Sequence, residues 1–350
     1  MFTQPGQRTC LQCLTTPYAN VYQLSFIPFI PFTPLYNGYM RHFAHFLLTR
    51  FMLAPLLLLS TYAQADAGSL RAKYEQIETE LRNSVYGIPV YLQSDGDNGA
   101  IRGDVFGVIP HSFSTVRDAL ATPANWCEMV PMHLNIKACT YRYIDAECHL
   151  NIYTGRKFYE MADDVYLLDY RYQVDTKQKD YLHTTLTAED GPLDTANYAI
   201  TAEAVPLGES STFIHFSFSY EHGFITSLAM TGYFATLGSG KIGFTVVGKN
   251  VDGKPIYVDG IRGVIERNTI RYYFAIQSFL DTLTIPAEDR FEARINNWFD
   301  LTERYHAQLY EMDKKDYLSY KRQERLDQIR LQQAVNKTAT HGKCLMNGSH

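Results

Sequence analysis

His111, His133, His149, His183, His215 and His222 are scattered through the body of this 350-residue chain. None stands in an H-x-H or H-E-x-x-H arrangement, the spacings that put two imidazoles on one metal. No metal or cofactor is expected. Nucleophilic catalysis needs a serine or cysteine beside a base, and no G-x-S-x-G is present. Gly238-Ser-Gly240-Lys241 carries the glycines and lysine of a phosphate loop, but Ile242 stands where Ser or Thr should hold a magnesium ion. Acid–base work in a dry site needs a carboxylate or imidazole with a shifted pKa. The residues that fit are Glu221, His215 and the Glu266-Arg267 pair, with Arg271 one turn on. Charged residues at that spacing also make an ordinary exposed helix face. Arg156-Lys157 would attract an anion, or simply mark a solvated turn.

The cysteines point to a compartment. Cys127, Cys139 and Cys148 lie in the body and Cys344 in the tail; Cys10 and Cys13 form a lone C-x-x-C, too few ligands for zinc. Met40 opens a segment with Arg41 and Arg50, the apolar run Phe51–Leu59, and two small-residue cleavage patterns ending at Ala65 and Ala67. That is the pattern of an export signal. The run is too short for a bilayer span, which takes ~20 apolar residues. Residues 1–39 are then read as a start-site artefact, 40–67 as a signal peptide, and the protein as periplasmic. An oxidising compartment favours disulfides. Cys127–Cys139 is the preferred bridge, Cys139–Cys148 its rival, and buried thiols the third reading. Asn336-Lys-Thr and Asn347-Gly-Ser are glycosylation sequons in the tail.

Composition narrows the partners. Hydrophobic residues make up 46% and charged residues 20%, which excludes wholesale disorder. The net charge of −5 argues against nucleic acid, whose phosphates need a basic face. The 26 tyrosines and 20 phenylalanines are the marked excess; each tyrosine joins a large apolar body to one polar tip.

The elements follow from periodicity. Leu70, Tyr74, Ile77 and Leu81 repeat as a helix over 69–83 with Ser69 as its cap. A strand over 100–109 precedes two short helices, the second running from Pro123 through Trp126. Six strands are then expected over 135–144, 147–154, 164–174, 181–188, 197–205 and 212–220, an antiparallel meander. In the third, Tyr166, Leu168, Tyr170, Tyr172 and Val174 share one face, with Val165, Leu167, Asp169, Arg171 and Gln173 on the other; in the last, Phe216, Phe218 and Tyr220 alternate with His215, Ser217 and Ser219. A small-residue helix over 225–237, a hairpin, a long helix over 261–283 and another over 287–309 complete the body. Residues 311–350 read as a charged surface helix and a loose tail.

Val105–Trp126, Gly155–Val174 and Lys241–Leu280 carry a resemblance to the START-like (SRPBCC) superfamily, among them a group of exported, uncharacterised proteobacterial proteins. It extends over most of residues 85–320. It implies an α+β helix-grip fold: a curved antiparallel sheet wrapped on a long C-terminal helix, here with extra helices, as one domain over 68–310. A helix and a hairpin after Tyr220 depart from the family order. The resemblance also implies a deep cavity for a lipid, sterol-like or polyketide-like molecule. Trp126, Tyr170, Tyr172, His215, Phe218, Tyr220 and Arg267 are the expected lining. The leading expectation is a non-catalytic binding or carrier protein for an apolar molecule, with transient contact to a membrane surface. The rivals are a cyclase- or hydrolase-type enzyme on a hydrophobic substrate, testing Glu221, His215 and Arg267, and an envelope assembly module docking through 225–237 or 313–333.

Overall fold

The computed structural model describes residues 66–338, apart from 97–98, 146, 224–225 and 227–239. The chain divides into two compact units, 1–62 and 63–350, and all described residues belong to the second. The start-site segment, nearly all of the export signal and most of the small-residue helix lie outside the described residues. Among the described residues no helix is long and apolar enough to cross a membrane.

The first helix, α1 (Ala67–Arg82), is capped by Asp66, whose carboxylate accepts the Ser69 N–H at 2.7 Å. Ser69, expected as the cap, is therefore the donor instead. Strands β1 (Val90–Asp95) and β2 (Ala100–Ile109) form a hairpin. Helices α2 (Phe113–Leu120) and α3 (Pro123–Met129) then carry the chain to the far side of the sheet. There β3 (Ile136–Ile144) begins a meander through β4 (Glu147–Thr154), β5 (Tyr166–Asp175), β6 (Leu182–Asp190), β7 (Thr195–Pro206) and β8 (Thr212–His222). The meander ends where β8 pairs with β2, giving one antiparallel sheet in the order β1-β2-β8-β7-β6-β5-β4-β3. A small hairpin, β9 (Val246–Lys249) and β10 (Pro255–Tyr257), leads into α4 (Gly260–Asp281). Helices α5 (Arg290–Glu303), α6 (His306–Leu309) and α7 (Lys314–Thr338) follow. The architecture is the α+β helix grip: a curved antiparallel sheet with a long helix, here α4, held on its inner face.

At 22 residues, α4 is ~33 Å long at the usual helical rise. Gly103 and Gly107 let it lie close on β2. A Cβ at the first would collide with Thr269 Oγ1 and at the second with the Tyr273 phenol. Strand alternation then sorts the two faces. Ile101, Val105, Tyr170, Ile200, Phe216 and Phe218 face inward and share one core with Ile265, Tyr272, Ile276 and Phe279 of α4. On the outer face α1 buries Leu70, Ile77 and Leu81 against Phe106, Val205 and Phe213.

The last helix corrects the sequence reading. Expected on the surface, α7 instead buries Tyr317, Lys321, Glu324 and Gln328. It runs along β3, the open edge of the sheet. Gln328 accepts the Cys139 N–H at 2.9 Å and donates to Cys127 O, while Gln332 both accepts from and donates to the backbone of Tyr141. An exposed strand edge invites pairing with another chain; here glutamine amides occupy it. Beneath them Glu324 bridges Lys137 at 2.8 Å and Lys321 at 2.6 Å. Both ammonium groups also donate to backbone carbonyls, Leu134 and Phe158 for Lys137, His133 and Ile136 for Lys321. The Cys127–Cys139 disulfide ties α3 to this same edge, so the Cys139–Cys148 pairing does not form.

Candidate functional site

The inner face beneath α4 gathers six aromatic rings from four elements. Tyr170 comes from β5, Tyr198 from β7, Phe216, Phe218 and Tyr220 from β8, and Tyr272 from α4. On β8 the three rings are spaced by two, which places them on one face, and all six belong to or pack against the same core. They touch directly: Phe218–Tyr272 at 5.4 Å edge to face, Phe216–Tyr272 at 6.0 Å, and Tyr198–Tyr220 stacked at 5.1 Å. The deep open hollow expected between sheet and helix is thus filled here by rings packed on one another. Those pairs gain both buried area and quadrupole contacts.

The polar tips of these rings are treated unequally. Tyr198 donates to Thr195 Oγ1 at 2.8 Å. Tyr170, Tyr220 and Tyr272 make no hydrogen bond among the described residues, and burial pushes all three phenols well above their ordinary pKa. His133 completes the group, its ring stacked on Tyr272 at 4.5 Å. Its Nδ1 accepts the Asn135 N–H at 3.2 Å, which leaves the proton of the neutral ring on Nε2. Among the described residues that buried Nε2 makes no hydrogen bond of good geometry, the Asn268 side chain being its polar neighbour. Burial, then the nearby cations Arg271 and Lys321, hold the imidazole well below its ordinary pKa and so neutral.

The other expected lining residues are placed elsewhere or put to structural use. Trp126 and Tyr172 both donate to Leu120 O, at 2.7 and 3.1 Å, and Thr184 adds a third donor at 3.2 Å. Three donors thus satisfy one carbonyl at the open end of α2. Arg267 donates to Ile242 O at 3.0 Å, tying α4 to the irregular segment before β9. Glu266 beside it is fully buried and accepts from Ser94, Thr245 Oγ1 and two backbone N–H groups, all within 3.0 Å. Its oxygens are filled. Glu221 is exposed at the end of β8 and accepts from Asn197.

His215 lies on the outer face, one strand position out of step with Phe216. Its Nδ1 meets Glu203 and its Nε2 meets Asp104, both at 2.7 Å. Tyr181 donates to Glu203, and Arg102 clasps Asp104. Burial lowers the imidazole, but the two carboxylates outweigh it and raise its pKa. A ring clamped between two acids is a cross-strand tie, not a wall of the inner face. Among the described residues no group of three or more His, Cys, Asp or Glu is placed to hold a metal ion.

Sequence reasoning placed Tyr170, Phe218 and Tyr220 on the inner face but missed Tyr272 as their partner and His133 as the open donor. Tyr272 stood in the expected α4 stripe, which was the available signal. Nothing local marks His133, because its burial comes from residues remote in sequence.

No family model matches the chain, and no curated protein does. Solved structures with a similar path include human StAR-related lipid transfer protein 5, at 13% identity and a TM-score of 0.32, covering 61% of this chain and 96% of that one. Others are a conserved protein of unknown function, EF2215 from Enterococcus faecalis (11%, TM-score 0.31, 64% and 95%), and a norcoclaurine synthase from Thalictrum flavum (14%, TM-score 0.28, 42% and 90%). These likenesses are faint, and the helix-grip assignment rests on the strand order and on the long helix held against its inner face.

Proposed function

We propose that this is an exported START-like binding protein that holds an apolar small molecule between the sheet and α4, without chemistry. The observation that carries the reading is the set of unpaired polar tips at Tyr170, Tyr220, Tyr272 and His133 inside an otherwise apolar aromatic layer. Buried polar groups normally have partners, and a ligand site is mostly apolar with a few fixed polar groups. A lipid, sterol-like or polyketide-like guest parts the rings and accepts from the His133 Nε2–H or a phenol. The acids and bases weighed for catalysis are already engaged in structural contacts, which favours a carrier over a cyclase or hydrolase.

Export is supported by the disulfide, which is at home in an oxidising compartment. Signal removal after Ala65 leaves Asp66 in place to cap α1, whereas removal after Ala67 deletes the cap. N-terminal sequencing of the exported protein distinguishes the two. The binding reading is tested by native mass spectrometry and solvent extraction of protein purified from its own envelope. An apolar molecule is expected to leave with the wild-type protein and to be depleted in Tyr272→Phe and His133→Phe. Protein that carries nothing, and takes up no N-phenyl-1-naphthylamine on titration, overturns the proposal.

A further inference from the structure

Outside the grip, the two short helices face the C-terminal helices across an open groove of about 590 Å³. That is the size range of a small-molecule site. Its apolar floor is Phe279, Leu283 and Phe291, from the end of α4 and the start of α5. Three guanidinium groups stand over that floor: Arg290 and Arg294 from α5 and Arg325 from α7.

Stacking fixes two of them. Arg294 lies 4.2 Å above the Phe279 ring and Arg325 5.3 Å from that of Phe291. Such cation–π contacts hold the planar fork while leaving its edge for oxygen acceptors. The groove's acids do not balance the three charges. Asp118 is engaged by its neighbour Arg117 at 2.9 Å. Among the described residues that line the groove, Glu128 is the acid bonded to the cluster, giving one oxygen to Arg294 at 3.0 Å and the other to Arg325 at 2.7 Å. Arg290 spends only its Nε, on Ile285 O at 2.7 Å. Burial and the crowding cations Arg290 and Arg325 pull the Arg294 pKa down against the pull of Glu128. The groove therefore offers more cationic donors than the chain itself uses, beside a strip of apolar surface.

We propose that this groove binds a small amphiphile, its oxyanion head, carboxylate or phosphate, held among Arg290, Arg294 and Arg325, and its apolar part laid on Leu283 and Phe291. Guanidinium forks match both head groups in bidentate geometry. The site is separate from the inner aromatic face and does not depend on the function proposed for it.

The full chain is titrated calorimetrically with decanoate, decyl phosphate, inorganic phosphate and decyltrimethylammonium. The two anionic amphiphiles are expected to bind, each weakening as salt is raised, and their ratio identifies the preferred head. Inorganic phosphate should bind at least about tenfold more weakly, lacking the apolar contact, and the cationic amphiphile should not compete. Arg290→Gln is expected to weaken decanoate about tenfold by removing charge-assisted bonds. Glu128→Gln should strengthen it about threefold by removing the competing carboxylate, a gain that a misfolded variant would not show. Arg330→Gln, an exposed arginine of α7 paired with Asp163 outside the groove, should leave decanoate affinity unchanged. Equal binding of the cationic amphiphile, indifference to Arg290→Gln, loss in Glu128→Gln, or equal sensitivity to Arg330→Gln and Arg290→Gln each overturns the proposal.

Discussion

Two buried regions of this protein handle polar groups by opposite rules. Along the seam where α7 covers the edge of β3, Lys137, Lys321, Glu324 and Gln328 are buried and all are bonded. Under α4, Tyr170, Tyr220, Tyr272 and His133 are largely buried and their polar tips are open. A satisfied network fixes one arrangement of the chain, whereas open donors in an apolar layer leave work for a guest. Substituting the first region should therefore cost stability and substituting the second should cost binding.

The largest effect is expected at Glu324. Its removal as Glu324→Ala strands two buried ammonium groups, and breaking a buried ion pair costs about 3–5 kcal/mol. Urea denaturation measures this as a fall in the transition midpoint. Replacing Lys137, Glu324 and Lys321 together by apolar residues of similar volume should restore most of that loss, since the charges then need no desolvation. A small cost for Glu324→Ala alone would erase the contrast between the two regions.

The disulfide comes next. Opening Cys127–Cys139, which spans 12 residues, as the double serine variant should cost about 3 kcal/mol, the usual worth of a short loop closure. Urea denaturation of the double variant beside the wild type measures the loss.

How much of this was legible in the sequence depends on where each residue finds its partner. The meander was readable because Tyr170, Tyr172, Phe216 and Phe218 alternate along single strands, and the bridge because Cys127 and Cys139 flank one short connection. β1 was missed: only Val90 and Leu92 alternate inward across six residues between Pro89 and a turn. The α7 seam was invisible for a different reason. Tyr317, Lys321, Glu324 and Gln328 repeat at helical spacing, but their types signal solvent unless β3's backbone and Lys137 are known to lie opposite. His215 was misassigned because Phe216 and Phe218 define the inner face, and a residue of the other parity must point outward. The Arg290–Arg294–Arg325 cluster joins α5 to α7 and had no local mark at all.

A smaller effect is expected from pH at His215. Its folded pKa is raised, so its contribution is fully present below the ordinary imidazole value of ~6.5 and is lost as pH climbs through the raised value. Asp104 and Glu203 shift the other way: burial pushes them up, but His215, with Arg102 at Asp104 and Tyr181 at Glu203, brings both below their ordinary values. Their contribution is present above the ordinary carboxylate pKa and fades as pH falls through the lowered one. Wild-type stability should therefore drop between neutral and alkaline pH relative to His215→Gln, with the two curves running parallel above that descent. Parallel curves across the whole range would show that the outer-face tie carries no proton linkage.

The smallest expected change in stability is also the sharpest test of the contrast. Tyr170→Phe deletes one oxygen and keeps the ring. Because that phenol has no partner among the described residues, no hydrogen bond is lost, and removing an unpaired buried polar group is neutral or slightly stabilising, within about 1 kcal/mol. The same change in a structural phenol behaves otherwise. Tyr172→Phe withdraws one of the three donors on Leu120 O and should cost about 1 kcal/mol, the net worth of a buried hydrogen bond. Thermal unfolding of the two variants, side by side with their uptake of N-phenyl-1-naphthylamine, sets the expectation: Tyr170→Phe alters uptake at unchanged stability, Tyr172→Phe the reverse. If both variants lose stability and neither alters uptake, the inner face is plain core and its open phenols hold nothing.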